Sequence, residues 1–273
     1  MSYPPLADVR KTLRVEWYRS PIEHATLREL SKRSDLQGWW QAVGHLALFA
    51  ITGTLTFLLW AQQQWIGFVV LLFVHGTVAS FFVGVPSHEL GHGTVFRSKK
   101  LNRIFLYLFS LLGWFDTFDY NISHTYHHRY TLHPEGDREV LLPIPPTVGR
   151  TFLLQLFTIN LLTKRKRTLG GGVVGRIYTT FKAALGRDSA SEWINALHND
   201  QPDQHKKSMW WARAMLIIHG AILAISITTG LWVLPLILTF APFIANWASF
   251  RVQLPQHCGL MDNVPDFRKS TRS

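Results

Sequence analysis

Residues 36–88 read LQGWWQAVGHLALFAITGTLTFLLWAQQQWIGFVVLLFVHGTVASFFVGVPSH, and none of them is Asp, Glu, Lys or Arg. A helix needs about 20 apolar residues to cross about 30 Å of hydrocarbon, so a run of this length holds two crossings. They are expected near Trp39–Trp60 and Gln64–Val85, joined by the polar turn Ala61-Gln62-Gln63. A second charge-free run, Ala214–Phe250, has room for two more, near Trp211–Thr228 and Leu231–Trp247, with Thr229-Gly230 between them. Trp39, Trp40, Trp60, Trp65, Trp210, Trp211, Trp232 and Trp247 fall near the expected ends, where amphipathic rings favour the headgroup layer. The fold class this predicts is an all-α integral membrane protein. It has four transmembrane helices in two hairpins, with cytoplasmic and interfacial helices around them.

Only 16% of the 273 residues are charged, against about 25% in an ordinary soluble domain. With that deficit gathered into two runs, a soluble enzyme, a disordered tail and a disulfide-rich secreted module are all excluded. One cysteine, Cys258, leaves no intrachain disulfide and no Cys-based zinc site. Of 28 Lys and Arg, 7 precede the first hairpin, 16 lie between Arg97 and Lys207, and 5 follow from Arg213 onward. The two turns within the hairpins carry none. The positive-inside rule therefore puts both termini and the middle segment on the cytoplasmic side. The net charge of +11 reads first as a topology signal, since the basic residues are dispersed among apolar stretches rather than arranged for nucleic acid.

Residues 1–38 are expected to form a cytoplasmic N-terminal arm and residues 39–273 the membrane domain. The first apolar run is too long for the core of a secretory signal. Ile22–Gln37 suits a short helix lying on the bilayer. Leu101–Phe118 and Thr151–Leu162 are apolar but bounded by charge, which suits interfacial or half-inserted helices. The loosest point is Gly170–Gly172, and Lys164–Arg167 reads first as a solvated basic run facing lipid, with attraction of an acidic partner as the alternative.

Six of the 13 histidines fall within residues 88–133. They include His88-Glu-Leu-Gly-His92 and His124-Thr-Tyr-His127-His128. Spacings of three and four bring side chains onto one helix face, so each group converges. Neutral imidazole is the commonest metal ligand, and five of them exceed what one tetrahedral zinc requires. The arrangement suggests two metal ions in a nitrogen-rich cage at the cytoplasmic mouth of the first hairpin. Pro86 is expected to kink the entry, with Gly91 and Gly93 admitting another backbone closely.

His88–His92 resembles the first histidine box, HxxxH, of the membrane fatty acid desaturases, and His124–His128 resembles the second, HxxHH. The likeness extends to Leu27–Asp35, the second hairpin and Gln256-His257-Cys-Gly-Leu-Met-Asp-Asn-Val-Pro-Asp-Phe-Arg. What the resemblance implies is a non-haem centre of two iron ions held by His88, His92, His124, His127, His128 and His257. It implies O2 as co-substrate, a lipid acyl chain as substrate and an external electron donor of ferredoxin or cytochrome b5 type. The reaction implied is removal of two hydrogens from adjacent carbons of that chain, which is linked to lipid, CoA or a carrier protein. The family's third HxxHH box is expected some tens of residues beyond the Asp-Phe-Arg segment, and no histidine follows His257 in this sequence. A C-terminally incomplete sequence, inactive by itself, is therefore expected.

Two alternatives stand beside this one. Hydroxylation of an alkyl chain or carotenoid is close chemistry at a similar site. His88-Glu-Leu-Gly-His92 also fits HExxH, the zinc-protease pattern with Glu89 as general base, though that leaves the second histidine group without a task. Asp116, Asp119 and Asn121 are candidates to orient ligand imidazoles from behind. His45, His75 and His219, inside expected spans, are better suited to hydrogen bonds between helices. His133 is off the box pattern.

Overall fold

The computed structural model describes residues 3–142, 149–161 and 172–271. Lys164–Arg167, Gly170 and Gly171 lie outside the described residues, as does Leu162 at the end of one expected interfacial helix. Among the described residues the protein is helical and contains no strand.

The chain opens with α1 (Leu6–Thr12) and α2 (His24–Leu30). α3 (Asp35–Ala61) starts where the Ser34 hydroxyl accepts the N–H of Gln37, an N-cap at the threshold of the charge-free run. Its 27 residues span about 40 Å at 1.5 Å per residue. The chain reverses at Gln62-Gln63, with Gln63 at φ 55°, and α4 (Trp65–Ser80) packs back along α3. α3 and α4 form a packed helical pair. Its outer faces stay apolar and exposed, with Ile51, Leu55, Ile66 and Val69 uncovered.

Beyond Ser80 the helix breaks. Gly84 takes φ 86°, and Pro86 sits in the first turn of α5 (Val85–Gly91), where its missing N–H would have had no helical partner in any case. The break swings the first histidine pair out of line with α4. α6 (Lys99–Leu112), capped by Ser98, is amphipathic: Phe105, Leu106 and Phe109 face the core while Ile104 and Leu108 are exposed. α7 (Thr117–Tyr130) carries the second histidine group, and the Asp116 carboxylate accepts the N–H groups of Phe118 and Asp119 at its start. α8 (Arg150–Phe157), α9 (Val173–Ala184) and α10 (Glu192–Asp200) follow on the same side as the histidines. α11 (Pro202–Thr229) is the last long helix and ends at Gly230, φ 71°. By length and composition three helical stretches suffice to cross a membrane: His24–Ala61, Trp65–Gly91 and Pro202–Thr229.

The expected fourth helix, Leu231–Trp247, is not continuous. It breaks into a π-helical turn (Pro235–Thr239), a 3₁₀ turn (Ala241–Phe243) and the short α12 (Trp247–Gln253), with Ala245 at φ 47°. Pro235 and Pro242 remove two N–H donors, and a broken helix leaves carbonyls that hydrocarbon cannot satisfy. Side chains from neighbouring segments, α4 and the turn between α6 and α7, meet that need. His75 Nε2 donates to Ile237 O (2.9 Å), Trp114 Nε1 to Thr239 O (3.0 Å), and the Thr77 hydroxyl to Ala245 O (3.2 Å). Gly76 admits the irregular backbone, since a Cβ there would lie 2.5 Å from Ile244 O. Past α12 the chain reaches His257 and closes with α13 (Phe267–Ser270).

The N-terminal residues are packed rather than free. Leu6 and Val9 are buried with Tyr126, Tyr130, Trp193 and Leu197, and Arg10 bridges Asp200 and Tyr126. Trp17 stacks on Phe267 (centroids 4.2 Å apart), and the Tyr18 N–H donates to Pro265 O (2.8 Å). The start of the chain thus holds the segment that follows His257.

Candidate metal centre

α5 and α7 approach closely because Gly91 has no side chain; a Cβ there would meet Asn121 Oδ1 at 2.8 Å. That approach joins the two histidine groups. His88, His92, His124 and His128 each offer one ligand atom, and these atoms all lie within 4.8 Å of one another. Ring centroids are 4.7 Å apart for His88–His92, 4.8 Å for His88–His124 and 4.6 Å for His92–His128. His127 and His257 form an adjoining pair, with centroids 5.1 Å apart, and His127 is 5.4 Å from His124. All six expected residues are therefore near one another, four of them in one tight group.

The hydrogen bonds set the tautomers. His124 Nδ1 donates to Glu139 Oε1 (2.9 Å), His88 Nδ1 to Glu89 Oε1 (2.7 Å), His127 Nδ1 to Asp137 Oδ2 (2.8 Å) and His257 Nδ1 to Ser270 O (2.9 Å). In the neutral ring each such bond leaves Nε2 as the lone-pair nitrogen, the usual arrangement behind a metal-bound histidine. His124 Nε2 and His128 Nε2 face each other at 3.0 Å. A further layer holds Glu139: the Ser123 hydroxyl donates to Oε2 (2.6 Å), and Trp193 Nε1 donates to Ser123 (2.9 Å).

Electrostatics favour neutral rings in the four-residue group. Burial, and then the neighbouring imidazoles, push His128 down to about 4 and lower His92 as well. Burial also pulls His127 down, but the hydrogen bond and charge of Asp137 outweigh it, so that His127 is raised. An all-nitrogen donor set of neutral imidazoles with carboxylates behind it suits a divalent transition metal such as iron or zinc. The residues present therefore fit the metal that the sequence implies.

The carboxylates doing this orienting are not the expected ones. Asp119 accepts from His198 Nε2 (2.7 Å), Asp116 caps α7 and accepts from the Ser208 hydroxyl (2.5 Å), and Asn121 donates to Thr117. Asp137 and Glu139, in the Gly-Asp-Arg-Glu stretch after α7, take that place. Their signal in the sequence is a polar acidic turn one loop beyond the second histidine group. His133 lies apart, with Nδ1 on the carbonyls of Tyr130 and Thr131.

A cavity of about 1530 Å³ opens from the histidines. It exceeds the roughly 300–1,000 Å³ of ordinary small-molecule pockets. His88, His124, His127, His128 and His257 line one part of it, and Val83, Trp114, Phe115, Met215 and Phe250 supply apolar wall elsewhere. His198 and His205, which the sequence did not single out, also line it, with rings stacked 4.0 Å apart.

The family model described as Fatty acid desaturase matches residues 63–272. Comparisons with curated proteins and with solved structures give no match.

Proposed function

The chain belongs to the fatty acid desaturase family, and from that premise we propose that it is the scaffold for oxygen-dependent desaturation of a fatty acyl chain. The family and the three long apolar helices mark it as a membrane protein of oxidoreductase type. The observation that carries the finer reading is the convergence of His88, His92, His124 and His128 within 4.8 Å, at a cavity with apolar walls.

His88, His92, His124 and His128 would hold iron in the first position, and His127 and His257 would serve the adjoining one. When bound, two iron ions supply the reduction of O2 and the oxidation of adjacent C–H bonds, using electrons from an external ferredoxin- or cytochrome b5-type donor. The chain's own residues do the rest. Glu139, Glu89 and Asp137 fix which ring nitrogen faces inward. Val83, Phe115, Met215 and Phe250 align the hydrocarbon and keep water from its reacting carbons. The topology that fits is four crossings in two hairpins. The broken Leu231–Trp247 segment makes the last of these, because the chain passes the far end of α11 and returns to place His257 beside His127. With this topology the histidines and both ends of the chain sit on the cytoplasmic side.

The zinc-protease pattern loses ground because Glu89 holds His88 while His124 and His128 join the same cluster. Hydroxylation differs only in product. The deciding experiment is to supply the full-length chain, reconstituted with iron, with O2, a reduced donor and saturated acyl lipid. An alkene product with coupled iron in the Mössbauer spectrum supports desaturation; an alcohol product supports hydroxylation; a single zinc with proteolysis refutes both.

A further inference from the structure

The cavity has a second chemical feature besides the imidazoles. α9 contributes Arg176 and Lys182 to its lining, with Arg187 just past the helix end. Most of the other charged groups lining it already have partners: Glu89, Glu139 and Asp119 accept from histidines, Arg138 pairs with Glu192 and Arg268 with Asp266. Among the described residues, Arg176, Lys182 and Arg187 form no ion pair.

Arg176 is the deepest of the three. α9 lies antiparallel on α11, with Arg213 Nε donating to Ala184 O (2.9 Å) near one end. At the other end Ile177 packs in the same apolar cluster as Leu216, inside the charge-free run. Arg176 is thus crowded by protein yet keeps surface toward the cavity. A permanent cation at that level is costly without an anion beside it. Asp116 is the carboxylate that acts on it, but it lies beyond ion-pair distance and is already engaged with two backbone N–H groups and the Ser208 hydroxyl. Burial, and then the charge of Asp119, push Asp116 above the usual carboxylate range, which weakens it as a counter-ion.

We propose that Arg176 is an anion anchor, which binds the compact anionic head of an acyl ligand, a carboxylate or a phosphate, within the cavity that the imidazoles also line. The guanidinium fork matches both heads, since each offers two oxygens to parallel N–H donors. Phe115, whose ring centroid is 5.9 Å from the guanidinium, gives the first methylenes an apolar surface. Lys182 and Arg187, nearer the outer end of α9, draw the anion in. The assignment rests on the cavity's taking an acyl chain, and it selects a small acidic head over a protein-linked one.

Binding to the metal-free full-length protein tests this without turnover. Radiolabelled palmitate, hexadecyl phosphate and hexadecanol are compared on wild type, Arg176→Gln and Arg176→Lys. At least one anionic ligand should bind roughly ten- to a hundredfold more tightly than the alcohol, the range expected for hydrogen bonds to a charged group. The stronger of the two anions identifies the head. Arg176→Gln should erase the preference while leaving hexadecanol affinity unchanged, which also reports that the cavity is folded; Arg176→Lys should keep part of it. A preference that survives Arg176→Gln, or a wild type that binds the alcohol as tightly as both acids, overturns the anchor and leaves the acyl reading standing. Failure of all three ligands on wild type overturns both.

Discussion

His124 and His75 are both buried imidazoles, but their ring nitrogens are engaged differently. His75 Nε2 donates to Ile237 O (2.9 Å) and its Nδ1 faces the Thr52 hydroxyl at 2.8 Å, so both nitrogens are occupied by the fold. His219 repeats this, with Nε2 on Leu111 O (3.0 Å) and Nδ1 near Thr239 Oγ1 (3.3 Å). In His124 a carboxylate takes Nδ1, and Nε2 meets only another imidazole. A backbone carbonyl on Nε2 makes histidine a rivet between helices. A carboxylate on Nδ1 fixes the ring while leaving the other nitrogen for a metal.

The comparison breaks most visibly at His124. His124→Ala is expected to abolish product formation and to lower iron stoichiometry in metal analysis of the purified protein; full iron retention would show that the cluster is no ligand set. Next comes Glu139→Gln, which keeps the shape but removes the charge behind His124. Metal affinity should fall about 10–100-fold by chelator competition, with little change in unfolding temperature. Asp137→Asn should act in the same direction through His127.

At the rivet the readouts reverse. His75→Leu leaves the Ile237 carbonyl without its donor, and should cost about 1–3 kcal/mol in unfolding measured in detergent, with metal binding intact. Loss of metal from this variant would merge the two classes of histidine. The smallest effect belongs to Thr52→Val, about 0.6 kcal/mol, the average for side-chain hydrogen bonds between membrane helices. A double-mutant cycle with His75→Leu should assign most of that to the pair.

How far the site was legible depends on the range of the interactions that build it. His88 with His92, and His124 with His128, are i, i+4 pairs, so a helix alone makes each pair converge. That the two pairs meet depends on α5 breaking away from α4 at Gly84 and on Gly91 accepting Asn121; Pro86 and Gly91 mark a kinked entry and a close approach in the sequence, but not that the second group is what Gly91 meets. Asp116 and Asp119 precede the second group, the obvious place to look for supporting carboxylates. Asp137 and Glu139 reach the ligands instead because the chain folds back after Tyr130, where Leu132 takes φ 59° and its N–H donates to Asp137 Oδ2.

Local chemistry alone determined the first two long apolar helices, the helical faces carrying the histidines and the family, since charge exclusion and helical periodicity act over a few turns of chain. The broken return of residues 231–247 was decided by tertiary structure. Pro235 and Pro242 weaken a helix there, and His75 and Thr77 on α4, Trp114 in the turn between α6 and α7 and the Asn160 N–H make the irregular path tolerable by taking its carbonyls. Tertiary packing also selected the carboxylates behind the imidazoles and turned Arg176 toward the cavity. A hydrogen bond between residues distant in sequence is fixed by where whole elements come to rest, and no local pattern encodes that position.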